Sequence, residues 1–136
     1  MYPADLVKPM REELTSIGFE ELQSSEAVDS AINQSGTTLV VVNSVCGCAA
    51  ANARPGARMS LDNSKKPANL VTVFAGVDKE ATDKARAHMV PFPPSSPSMA
   101  LFKDGELVHM LERHHIEGRP AEMIGENLKD AYNEYC

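Results

Sequence analysis

Cys46, Gly47 and Cys48 set two thiols one residue apart, and the third cysteine, Cys136, is the last of 136 residues. An odd, sparse set of this kind is not a structural disulfide framework. A close pair points instead to thiol–disulfide exchange or to metal. In exchange the thiolate is the attacking species, so the informative question is which sulfur sits where negative charge is favoured. Thr37–Val45 (TTLVVVNSV) is a continuous β-branched run, and alanines at 49, 50, 51 and 53 favour helix. Cys46 thus falls where a buried strand hands over to a helix, near free N–H groups and the positive end of the helix dipole. It reads as the nucleophile, and Cys48 as the resolving thiol. On a regular helix two steps turn through about 200°. A Cys46–Cys48 bridge therefore needs a distorted backbone at the helix start, a freedom expected of Gly47.

A second candidate element is Ser95-Ser96-Pro97-Ser98, which leads directly into an apolar segment. Cis bonds are essentially confined to X-Pro, and Ser96-Pro97 is the candidate for one that turns a backbone edge toward the thiols. Gly47, Ser96 and Pro97 are accordingly the expected substrate-binding positions. His114 and His115, with His88 and His109 as helpers, invite a metal reading. Neighbouring histidines in an extended segment point to opposite faces, however, so no metal site is expected, and packing or hydrogen bonding at the end of the last strand is. Arg54 reads as a solvated arginine near a helix end, with contact to a substrate carboxylate as the alternative. Asn43 and Ser44 suit capping or a turn, the Phe92-Pro93-Pro94 segment suits loop shaping or client docking, and Cys136 reads as incidental.

The elements that must hold these groups follow from periodicity. Leu6, Val7, Met10, Leu14 and Ile17 recur at helical spacing up to Gly18, with Pro9 expected to kink that helix or delay its start. Ser24 or Ser25 caps a second helix carrying Ala27, Val28, Ala31 and Ile32 and ending at Gly36. Asn69–Gly76 is a second strand, Asp78 is placed to cap the helix that follows, and 90–98 is a proline-rich loop. SMALF and ELVHML flank Asp104-Gly105, a hairpin signal. Pro120 opens a last helix with Met123, Ile124, Leu128, Ala131 and Tyr132 facing inward. The expected order is helix, helix, strand, helix, strand, helix, strand, strand, helix, an α/β fold in one domain spanning 1–136.

Composition narrows the function classes. With 13 Lys and Arg against 19 Asp and Glu, the net charge is -6, which argues against nucleic acid or an anionic membrane as partner. The longest purely apolar run, Leu39–Val42, is far short of the roughly 18 residues of a spanning helix. The opening MYPADLVKPM lacks the pattern of a secretory signal, so a cytoplasmic location is expected. The eight glycines are scattered singly, without a phosphate-binding loop.

Taken together, VNSVCGCAAANARPGA, PSSPSMALFKDGELVHMLERHHIEGR and the following helix closely resemble the bacilliredoxin family over nearly the whole chain. The resemblance implies a thioredoxin-like fold, a mixed central sheet flanked by helices, with extra N-terminal helices replacing the usual first strand. It implies Cys46 as nucleophile, Cys48 as second active-site cysteine and Pro97 as the cis-proline. It further implies removal of bacillithiol, a cytosolic low-molecular-weight thiol bearing carboxylates, from mixed disulfides on client proteins. No bound cofactor is expected, since bacillithiol would enter as co-substrate. Departures from thioredoxins proper are Val45 where they carry tryptophan, and one residue instead of two between the cysteines. The alternatives are a general protein disulfide isomerase or reductase, and a Cys/His metal-binding module.

Overall fold

The apolar run beginning at Thr37 becomes the centre of a five-stranded sheet in the computed structural model, which describes residues 2–136. In chain order the elements are α1 (Ala4–Thr15), β1 (Glu20–Glu21), α2 (Ser25–Asn33), β2 (Thr37–Asn43), α3 (Arg54–Ser60), β3 (Asn69–Phe74), α4 (Lys79–Ala87), β4 (Ser98–Lys103), β5 (Glu106–Leu111), α5 (Arg113–Ile116) and α6 (Ala121–Tyr135). The sheet order is β1-β3-β2-β4-β5. β1 and β2 run parallel to β3, β4 is antiparallel to β2, and β5 is antiparallel to β4.

Every residue of β2 is buried, which explains its unbroken apolar run. Leu39 and Val41 join Met99 and Leu101 of β4 on one face, against Leu14 of α1, Ala57 of α3 and Ile124 and Leu128 of α6. Val40 and Val42 join Val71, Val73 and Phe102 on the other face, against α2 and α4. Alternation along a strand sends neighbours to opposite faces, so a strand covered on both sides loses the polar half of its pattern. On the first face α3 and α6 approach closely: a Cβ on Gly56 would lie 2.7 Å from Ile124 Cγ2. The hairpin turn is at Asp104-Gly105, both at positive φ (51° and 84°), as Asp-Gly chemistry predicts.

Four expectations about the frame are corrected. The N-terminal helices do not replace the first strand: β1 pairs Glu20 with Val71 and Glu21 with Thr72, a pairing too short to leave an alternating signature. Pro9 does not delay α1, which starts at Ala4 and runs through it. Asp78 makes no side-chain cap to α4; its carboxylate instead accepts two hydrogen bonds from the Arg11 guanidinium, at 2.8 and 3.1 Å. Met123 is 52% exposed, while Ile124, Leu128, Ala131 and Tyr132 of α6 are buried as expected. Ser24 does cap α2, accepting from the Ala27 N–H at 3.1 Å.

Candidate active site

β2 ends at Asn43, and the chain reaches Cys46 within three residues. Ser44 Oγ accepts the Cys46 N–H at 3.1 Å, and the Cys46 carbonyl accepts from the N–H groups of Ala49 and Ala50 at 2.9 and 3.3 Å. Cys46 and Cys48 are joined by a disulfide with their Cα atoms 5.3 Å apart, within the usual span for such bridges. The alanine run does not form a regular α-helix at once. Ala49–Ala53 is a π-helical turn that passes into α3, and such turns recur at functional sites. The widened turn lies directly after Cys48. Gly47 is not the hinge that the spacing suggests, because its φ is not positive and a Cβ there would meet open space.

The two sulfurs have different surroundings. Cys46 Sγ accepts the Cys48 N–H at 3.4 Å and an Arg113 Nη2–H at 3.3 Å. Donors converging on one sulfur favour its thiolate over its thiol. Arg113 stands at the start of α5 and also donates through Nη1 to the Ser96 carbonyl at 3.3 Å. Ser96-Pro97 is cis, as the sequence suggests, and Pro97 is buried with Ser96 beside it at the pocket edge. A second cis bond, Val90-Pro91, lies in the same loop. A cavity of about 340 Å³ opens at Cys46 and is bordered by Tyr2, Ser44, Ser96, Arg86 and Arg113.

Beneath the cysteines Arg54 is buried, 2% exposed, which corrects the reading of a solvated residue. Its Nη1 donates to Asn43 Oδ1 at 3.0 Å and to the Ser44 carbonyl at 2.9 Å. Its Nε lies 3.2 Å from Glu13 Oε1, an ion pair too bent for a hydrogen bond. Asn43 in turn accepts the Ser44 N–H at 2.9 Å and donates to the Met10 carbonyl at 3.1 Å. Asn43, Ser44 and Arg54 therefore tie the cysteine loop to α1.

His114 and His115 are not in an extended segment but in α5, with ring centroids 4.0 Å apart. With Glu112 they offer three ligand atoms within 4.8 Å of one another. Among the described residues this grouping does not include either active-site cysteine. His115 Nδ1 accepts the Glu112 N–H at 3.0 Å; burial, with the neighbouring His114 adding to it, holds the His115 pKa below the ordinary histidine value. His88 pairs with Asp29, and His109 with Asn127, both at 2.7 Å. Cys136 is free and exposed.

Arg113 and Arg86 are the residues that sequence reasoning missed. Arg113 is 67 residues from Cys46 along the chain, and no spacing rule connects them. A fold template that brings the segment after β5 beside the first thiol is the signal that finds it.

The family model described as disulphide isomerase matches residues 2–136. A bacilliredoxin of Cytophaga hutchinsonii is 60% identical over 134 residues, covering 98% of this chain and 99% of its own length. One of Halalkalibacterium halodurans is 56% identical, covering 99% and 94%. In structure the chain is similar to oxidised mitochondrial thioredoxin 3 of Saccharomyces cerevisiae, with a TM-score of 0.61 and 17% identity over 90% of this chain and 98% of that one. It is likewise similar to the reduced thioredoxin pre-protein of Schistosoma mansoni, with a TM-score of 0.60 and 16% identity over 87% and 98%. No helix of the described residues is long and apolar enough to cross a membrane. On this sequence identity, the matched fold and the paired cysteines, the chain belongs to the bacilliredoxin family and is a thiol–disulfide oxidoreductase of thioredoxin-like fold.

Proposed function

We propose that the protein removes bacillithiol from cysteines of cytoplasmic client proteins, with Cys46 attacking and Cys48 resolving. The observation that carries the assignment of roles is the asymmetry of the cysteines: Cys46 borders the cavity and its Sγ accepts two N–H donors, whereas Cys48 does not border that cavity. The bacilliredoxin relatives support bacillithiol as the thiol.

The Cys46 thiolate attacks the bacillithiol sulfur of the client's mixed disulfide. A Cys46–bacillithiol disulfide forms as the client S–S bond breaks, and the client cysteine departs as a thiolate. Cys48, as thiolate, then attacks Cys46 Sγ, expelling bacillithiol thiolate and closing the Cys46–Cys48 disulfide. Alternatively a second bacillithiol attacks the adduct and leaves as bacillithiol disulfide. Two successive exchanges with reduced bacillithiol, kept reduced by a separate reductase, return the Cys46–Cys48 disulfide to the dithiol. Ser96 and cis-Pro97 would present backbone to the incoming disulfide beside Cys46.

A second reading, isomerisation or reduction of protein–protein disulfides, is favoured by the description of the matching family. Turnover of a bacillithiolated client against a scrambled-disulfide client separates the two. Faster release of bacillithiol is the expected result, and faster repair of the scrambled protein would reverse the assignment.

A further inference from the structure

The whole chain carries a net charge of -6, yet the cavity at Cys46 is bordered by two arginines and no acidic residue. Long-range repulsion works against an anionic ligand, so this local reversal of sign is the feature to explain. Arg86 projects from α4, with its Nε buried and without a hydrogen-bond partner. Among the described residues no carboxylate pairs with it, unlike Arg11 and Arg54, whose guanidinium groups meet Asp78 and Glu13. Arg86 is half-buried, and no carboxylate of the described residues balances its charge where it borders the cavity, so a bound anion would supply the counter-charge. Arg113 has one acidic neighbour, Glu117, at 3.0 Å from Nε and 2.9 Å from Nη2; Nη2 also donates to Cys46 Sγ and Nη1 to the Ser96 carbonyl, which leaves one Nη1–H for a ligand. The two cations border one cavity with Tyr2 and Ser44.

We propose that Arg86 and Arg113 form an anion subsite beside Cys46, which receives a carboxylate of the small-thiol half of the disulfide under attack and selects acidic low-molecular-weight thiols over neutral ones. Guanidinium N–H groups donate charge-assisted hydrogen bonds to carboxylates, and the cavity volume of about 340 Å³ is at the lower end of small-molecule sites. The inference deepens the proposed function and rests on Cys46 as nucleophile. The selected step is one exchange: Cys46 Sγ bonds to one sulfur of the small disulfide, the old S–S bond breaks, and the other half leaves as a thiolate. No further oxidant is needed.

The test uses reduced full-length protein carrying Cys48→Ser and Cys136→Ser, so that Cys46 is the one thiol. Its rates with dithiobis(nitrobenzoate), whose halves are carboxylates, and with neutral dithiodipyridine are divided one by the other. Changes in thiolate supply affect both probes and cancel in the quotient. Adding Arg86→Gln and Arg113→Gln is expected to lower the quotient about tenfold, with lysine at both positions retaining most of it. In the parent protein, raising salt to about 1 M is expected to lower the quotient as well. This salt titration and Arg86→Gln alone carry the test should the double variant fail to melt cooperatively. A quotient unmoved by both substitution and salt, while Cys46 still reacts with the neutral probe, overturns the subsite alone. No reaction of Cys46 with the neutral probe overturns the assignment of the nucleophile, and the subsite with it.

Discussion

The floor and the roof of the cysteine loop are both built from arginine, and they differ in what the guanidinium faces. Below, Arg54 is 2% exposed and committed to Asn43, Ser44 and Glu13. Above, Arg113 is 46% exposed and reaches Cys46 Sγ, while Arg86 borders the same cavity without an acidic partner among the described residues. A buried cation whose partners are protein groups holds a loop in place. A half-exposed cation at an open cavity is available to a ligand or to a developing charge. The residue type is the same, and burial and partners decide its role.

Substitutions can separate the two layers. The largest effect is expected at the cysteines: Cys46→Ser abolishes release of bacillithiol from a client, while Cys48→Ser still completes the first transfer, as read by the mass of the trapped adduct. Next, Arg54→Ala leaves Asn43 Oδ1 and the Ser44 carbonyl short of a donor; urea unfolding should show a loss of about 3 kcal/mol. Arg113→Gln is expected to behave oppositely, with urea stability changed by less than about 0.5 kcal/mol because its ion pair is exposed. Alkylation of Cys46 by neutral iodoacetamide at pH 7 should nevertheless slow by about threefold, since one donor to the thiolate is gone. Equal losses of stability in the two arginine variants would erase the distinction between floor and roof.

The smallest effect concerns pH. His115 titrates below the ordinary histidine value because it is partly desolvated, with His114 close by. The unfolded chain therefore binds the extra proton first, and stability falls as pH drops through the ordinary histidine range and below. Protonation also removes the Nδ1 lone pair that accepts the Glu112 N–H at the start of α5. His115→Gln is expected to flatten thermal stability between pH 7 and 5, and an unchanged slope would contradict this assignment.

Residues whose role depends on neighbours in the chain were legible in the sequence. The continuous β2 run announced a strand covered on both faces, Asp104-Gly105 announced the hairpin, and the strand-to-helix position of the cysteines located the redox element. The cis bond at Ser96-Pro97 is likewise marked by an X-Pro step leading into an apolar strand. Partners distant in sequence were not legible. Arg54 depends on Glu13 and Asn43, and Arg113 on a sulfur 67 residues away. β1 is two residues long, too short for period two to register. The placement of His114 and His115 failed because the chain turns into α5 directly after β5, which changes neighbouring side chains from opposite faces to adjacent positions. Gly47 misled for a physical reason as well: the irregularity lies in the π-helical turn at Ala49–Ala53, after the glycine.

The most direct test of the exchange chemistry is intact mass after mixing a bacillithiolated model protein with either of two variants, both also carrying Cys136→Ser. The Cys48→Ser protein is expected to gain the mass of one bacillithiol as client thiol appears, and the Cys46→Ser protein to gain nothing. An adduct on the Cys46→Ser protein, or on neither while both are folded and reduced, would contradict Cys46 as the bacillithiol-accepting thiol.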